Sequence, residues 1–152
     1  VFSSNVLPLL EAQYVKTGKL KLVFHDFPLP NHRYAKLAAR YVNAAGQLGY
    51  LRVAMDQVFR TRNAWSVTGD VDSELAPALL PYVMRQVRRL VGEDAHFDDA
   101  VEAGIAAGRA DGIKQTPSVV LVYQGKRQIV PGKLSFDELK ARLDEVLGQT
   151  NK

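Results

Sequence analysis

Ser118-Val119-Val120-Leu121-Val122-Tyr123 is a nearly unbroken apolar run, rich in valine. Runs of this kind belong to strands buried on both faces of a sheet that helices cover. This one stretch therefore points to an α/β architecture. Gly112-Ile113-Lys114-Gln115-Thr116-Pro117 leads into it, Gln124-Gly125-Lys126 reads as a turn, and Arg127 to Val130 reads as a short partner strand ended by Pro131-Gly132. Ser135, with Glu138 three residues on, spells a capping box. It opens a last helix through Leu139, Leu143, Val146 and Leu147, which Gly148 stops.

Upstream, Val6, Leu7, Leu10 and Tyr14 fall at helical spacing within Ser3 to Tyr14. Pro8 predicts a kink or a late start there, and Thr17-Gly18 a stop. From Lys19 to Phe27 the residues Leu20, Leu22 and Phe24 alternate with Lys19, Lys21 and Val23, the period of a strand. Phe27-Pro28-Leu29-Pro30 ends it, because proline offers no ladder donor, and Asn31 is placed to cap the next helix. Arg33 to Arg60 is helical in composition, with a break at Gly46 and Gly49 and a second piece over Tyr50 to Phe59. Asn63-Ala64-Trp65 leads into a polar loop through Thr68-Gly69-Asp70. Asp72 or Ser73 starts another helix with Leu75, Leu79, Leu80 and Val83 inward, of limits blurred by Pro77 and Pro81. Gly92 to Asp94 is a break, and Phe97 to Arg109 a helix carrying Val101 and Ile105. Gly104 and Gly108, among Ala103, Ala106 and Ala107, read as close-packing positions, since no strand and glycine-rich loop precede them to cradle a phosphate. With neither repeat nor linker, the chain reads as a single domain over 1–152 with a helical block at about 33–110.

A chain of 152 residues suffices for one core, and no run of about 18 apolar residues suggests a transmembrane segment. Starting at Val1 without Met or a basic leader, it reads as processed or trimmed. Cysteine is absent, so these residues supply no disulfide, thiolate metal site or catalytic thiol. His25, His32 and His96 lack metal-ligand spacing, and neither a metal nor a cofactor is expected. The net charge is +4, and its densest group, Arg85, Arg88 and Arg89, fits the outer face of an amphipathic helix. That group reads as solvated rather than as a nucleic-acid site, leaving a mildly basic surface suited to acidic partners. His25 and Asp26 point to opposite faces of their strand and read as structural. His32 reads as a surface residue near the next helix start, and Phe59 and Trp65 read as packed aromatics near a helix end rather than as a substrate groove.

The order of elements resembles the DsbA-like branch of the thioredoxin superfamily. The stretches that carry the resemblance are Phe2 to Tyr14, Lys19-Leu20-Lys21-Leu22-Val23-Phe24-His25-Asp26-Phe27-Pro28-Leu29 and Gly112 to Val122, with a weaker match through Ala38-Ala39 to Trp65. The resemblance implies a thioredoxin-like α/β fold with an inserted helical block. It implies that Pro117 is cis and that Gln115, Thr116 and Pro117 face an extended substrate peptide. If Phe2 is the phenylalanine that comes after the family's C-x-x-C pair, that pair ends about two residues before Val1. The central strand feeding it is then missing from between the ribbons at Leu20 to Phe24 and Val119 to Val122. Such a gap leaves buried main-chain groups unpaired, so further N-terminal residues or a strand from another chain are expected.

The activity so implied is thiol–disulfide oxidation or isomerisation of protein or peptide thiols, periplasmic or secreted, with a redox partner protein, and absent from these residues alone. A second reading is a redox-inactive thioredoxin-like module that binds peptides. A third is a glutathione-using transferase or isomerase on a thioredoxin core.

Overall fold

A computed structural model describes residues 2–93, 95–130 and 135–150. The strand stop read at Pro131-Gly132 and the last residue of the break read at Asp94 lie outside the described residues. The chain forms two compact units, residues 1–24 with 109–152, and residues 25–108.

In the first unit a helical stretch covers residues 2–15. Its middle, α1 (Leu7–Leu10), is flanked by wide i→i+5 turns at Phe2–Val6 and Glu11–Val15. Proline lacks an N–H and its ring crowds the carbonyl four residues back, so the wide turn before Pro8 accommodates it without ending the helix. The stretch closes at Gly18, whose φ of +72° a residue without Cβ adopts at no steric cost. There the Gly18 N–H donates to the Val15 carbonyl at 3.0 Å and the Lys19 N–H to that of Tyr14 at 2.9 Å.

The strand expected over Lys19 to Phe27 is not formed. Residues 20–29 join no ladder among the described residues, although Leu20 and Leu22 are partly buried while Lys21 and Val23 are exposed. The alternation holds from Leu20 to Val23 and fails at Phe24, which is exposed like Val23, and the segment has no hydrogen-bonded neighbour among the described residues. The hairpin is present: β1 (Val120–Tyr123) pairs antiparallel with β2 (Lys126–Ile129) in the register Val120↔Ile129 to Tyr123↔Lys126. Gln124 and Gly125 connect them with φ of 48° and 73°, the two positive values that a two-residue type I′ turn requires. Among the described residues the sheet is these two strands only.

Helix α8 (Phe136–Thr150) opens on the expected box. The Ser135 hydroxyl donates to Glu138 Oε2 at 2.7 Å and accepts from the Glu138 N–H at 3.3 Å. It runs through Gly148 instead of stopping there, because Gly148 holds no positive φ and a glycine within a helix only weakens it. The unit's core is Val6, Leu10, Tyr14, Val130, Leu139 and Leu143, and Leu20, Val119 and Leu121 pack against it. The Tyr14 hydroxyl donates to Asp144 at 2.7 Å, tying the first helix to the last. Only one face of β1 is inward, for Val122 is 61% exposed, contrary to a strand buried on both sides.

The second unit is helical: α2 (Ala35–Gln47), α3 (Leu51–Arg60), α4 (Arg62–Thr68), α5 (Val71–Leu75), α6 (Pro81–Glu93) and most of α7 (His96–Ala110). Helix α2 packs on α3 and α6, and buried Ala44, Ala45 and Ala54 leave the room for it. The polar loop expected from Asn63 is helix α4. Trp65 is buried there, and its indole N–H donates to the Val58 carbonyl at 2.7 Å. Asp70, not Asp72 or Ser73, caps α5 by accepting from the Ser73 N–H at 3.0 Å. Asn31 caps nothing, since α2 begins only at Ala35 and has no side-chain cap. Arg88 forks onto Asp72 at 2.7–3.1 Å and holds its carboxyl below the usual range. The Tyr41 hydroxyl donates to the same carboxylate at 3.2 Å. Burial, then Asp72, pushes the Tyr41 phenol up to about 12.

Candidate functional site

The strand register decides what β1 can do. The Val130 N–H donates to the Val119 carbonyl at 2.9 Å, so Val119 and Val130 form a hydrogen-bonded pair. Bonded pairs alternate in an antiparallel ladder, so Leu121 and Tyr123 also aim their main-chain groups at β2. Val120 and Val122 aim theirs at the opposite edge, which pairs with nothing among the described residues. An edge of this kind takes an extended segment by main-chain hydrogen bonding.

The loop before β1 is held at both ends. Gly112, with φ of +75°, terminates α7, and its N–H donates to the Arg109 carbonyl at 3.0 Å. Arg127 of β2 grips Asp111 in a fork of 2.7 and 2.5 Å, which raises the guanidinium pKa further. At the other end the Ser118 hydroxyl donates to the Gln115 carbonyl at 2.7 Å, closing a turn around the Thr116–Pro117 bond. That bond is cis, as the resemblance implied. Gln115, Thr116 and Pro117 are all exposed and lead, through Ser118 and Val119, into β1. The loop thus presents a fixed, accessible backbone. Asp111 and Arg127 position it, and the sequence did not single them out; sixteen residues apart, they carry no local pattern.

In the second unit, Asp26 accepts from Asn43 Nδ2 at 2.7 Å. Burial raises its carboxyl pKa, opposed by the Asn43 hydrogen bond and by the charge of His25. The backbone of Gly104 lies so close that an added Cβ would stand 2.4 Å from the Asp26 carbonyl oxygen, and one on Gly108 would stand 2.5 Å from the Phe27 ring. The two glycines thus serve packing, against an irregular segment rather than another helix. Phe27 in turn rests on Ala39, Val101 and Ile105. His25 is exposed, His32 is partly buried, and His96 stands edge-on to Phe97 with ring centroids 5.1 Å apart. Phe59, unlike Trp65, is not packed but 55% exposed. Among the described residues no cluster of three or more His, Cys, Asp or Glu has the arrangement to hold a metal ion, and no helix is long and apolar enough to cross a membrane.

A carboxyl whose pKa is raised by folding binds its proton more tightly in the native state. Its contribution to stability is therefore full below the ordinary aspartate range, near 3.9, and is lost as pH rises through the raised value. Asp26→Asn keeps an acceptor for Asn43 and removes the buried charge. Urea denaturation should find the variant more stable than the parent at neutral pH, with an advantage that shrinks toward pH 3. An advantage independent of pH would show that the carboxyl is not titrating as described.

A family model described as Thioredoxin matches residues 1–145. No curated protein and no solved structure matches the chain.

Proposed function

The chain belongs to the thioredoxin family, and from that premise we propose that it is the peptide-docking scaffold of a DsbA-like thiol–disulfide oxidoreductase or isomerase. The observation that carries this reading is the exposed Gln115-Thr116-Pro117 loop leading into β1, a strand whose outer edge is open to a further strand. The helical residues at about 33–110 are, on this reading, the insertion of that branch. The 152 residues contain no cysteine, so the two thiols come from outside them, where a strand that pairs with Val120 and Val122 leads into the first helix.

Leu20 on one ribbon and Val119 and Leu121 on the other share one core cluster without sharing a ladder. That supports a vacant strand position between them. A thiol at the N-terminus of the helix following such a strand has a lowered pKa and leaves readily. A substrate thiolate attacks the domain's disulfide, forming a mixed disulfide and releasing one domain thiolate. The second substrate thiolate then attacks the substrate sulfur of the mixed disulfide, giving an oxidised substrate and a domain dithiol. Gln115, Thr116 and Pro117 hold the substrate backbone during both steps. This chemistry suits an oxidising compartment, the periplasm or the extracellular space, and needs a redox partner protein to restore the disulfide.

The missing cysteines favour a second reading, a redox-inactive member that holds extended peptides beside Pro117 by backbone pairing, without electron transfer. Insulin reduction in the presence of dithiothreitol separates the two. The 152-residue chain should be inactive, and the polypeptide as its gene encodes it should be active and carry two titratable thiols. A gene-encoded polypeptide with no thiol and no activity would overturn the redox reading, and the peptide-binding one would stand in its place.

A further inference from the structure

On helix α6, Tyr82, Arg85, Gln86 and Arg89 recur at i, i+3, i+4 and i+7, which puts them on one face. All four are exposed, whereas Val83, Met84 and Val87 on the opposite side are buried. Of the three arginines on this helix, Arg88 is engaged by Asp72. Arg85 and Arg89 form no ion pair among the described residues, and the one acid on their stripe, Glu93, lies at its far end. Tyr82 is 56% exposed, and Leu80, just before the helix and expected to face inward, is 53% exposed.

An aromatic anchor with two uncompensated guanidinium groups has the composition of a protein-binding hot spot, and its charge selects an acidic partner. We propose that this face of α6 docks an acidic peptide segment of a partner protein, Tyr82 and Leu80 receiving an apolar side chain and Arg85 and Arg89 pairing with its carboxylates. Two other anionic occupants fit less well. A membrane surface calls for a broad apolar helix face, and that of α6 is turned into the core. Nucleic acid is held by many phosphate contacts, and this face offers two free arginines. The docking face is separate from the β1 edge in sequence and in compact unit, and the inference does not depend on the redox reading.

The test is fluorescence anisotropy on the full chain with a labelled twelve-residue Glu-rich peptide bearing a central Phe. Its lysine counterpart, vesicles containing phosphatidylglycerol and a single-stranded oligonucleotide serve as competitors. The acidic peptide should bind, weaken about tenfold in Arg85→Glu/Arg89→Glu and also weaken in Tyr82→Ala, while the lysine peptide does not compete. Each variant changes only exposed side chains, and circular dichroism should show its helix content unchanged. Binding that survives the charge reversal, absent binding of the acidic peptide, or displacement by vesicles or oligonucleotide at lower concentration would overturn the proposal.

Discussion

Gly104→Ala should destabilise the unit of residues 25–108 by about 2 kcal/mol, a large effect for one methyl group. The new Cβ would meet the Asp26 carbonyl oxygen at 2.4 Å and its nitrogen at 3.1 Å. Both are main-chain atoms, so no rotamer change relieves the clash; either α7 or the 25–27 segment must move. Overpacking of this kind costs about 1–3 kcal/mol and occasionally more. Two main-chain contacts this close put the cost at the upper end of that range, and alanine's better helix propensity returns about 1 kcal/mol at most, leaving about 2. Displacement of Asp26 also removes the Asn43 hydrogen bond, so the pH dependence assigned to that carboxyl should fade in the same variant.

Gly92→Ala is the control, because a Cβ there meets nothing within 4 Å. It should raise stability by about 0.5 kcal/mol through propensity alone. Urea midpoints tracked by circular dichroism distinguish the two. Opposite expectations for the same substitution on two helices leave little room for a generic effect of alanine.

Elements specified by neighbours in sequence were legible in the residues alone. The Ser135 and Glu138 box reads directly because both partners lie within one helical turn. Gln124-Gly125 reads because positive φ is a local demand. The loop at Gln115, Thr116 and Pro117 was singled out by resemblance, whereas its exposure and the open edge of the strand it leads into are properties of the folded chain.

Features that depend on a distant partner were not legible, or were read wrongly. The alternation from Lys19 to Phe24 is the pattern of a strand, but a strand exists only where a neighbour accepts its ladder, and 20–29 has none among the described residues. Helix α4 was hidden by Arg62, Asn63, Ser66 and Thr68 around its single buried tryptophan. Once Trp65 enters the core and bonds the Val58 carbonyl, tertiary contact overrides the weak local preference. The fork between Arg127 and Asp111, and the half-buried bond between Asn43 and Asp26, join positions sixteen and seventeen residues apart. No spacing rule finds such pairs. The valine run was legible as a strand and misleading about burial, since sequence alone does not say how many of its faces are covered.

Main-chain amide hydrogen exchange, residue by residue along β1, probes the vacant-edge account where it is most exposed to failure. In the 152-residue chain the Leu121 and Tyr123 amides face β2 and should exchange on the order of 100-fold more slowly than those of Val120 and Val122. In the polypeptide as its gene encodes it, with the thiol-bearing strand in place, Val120 and Val122 should become as protected as their neighbours. Val120 and Val122 already slow in the short chain, or still fast in the long one, would mean that no strand docks on that side of the hairpin.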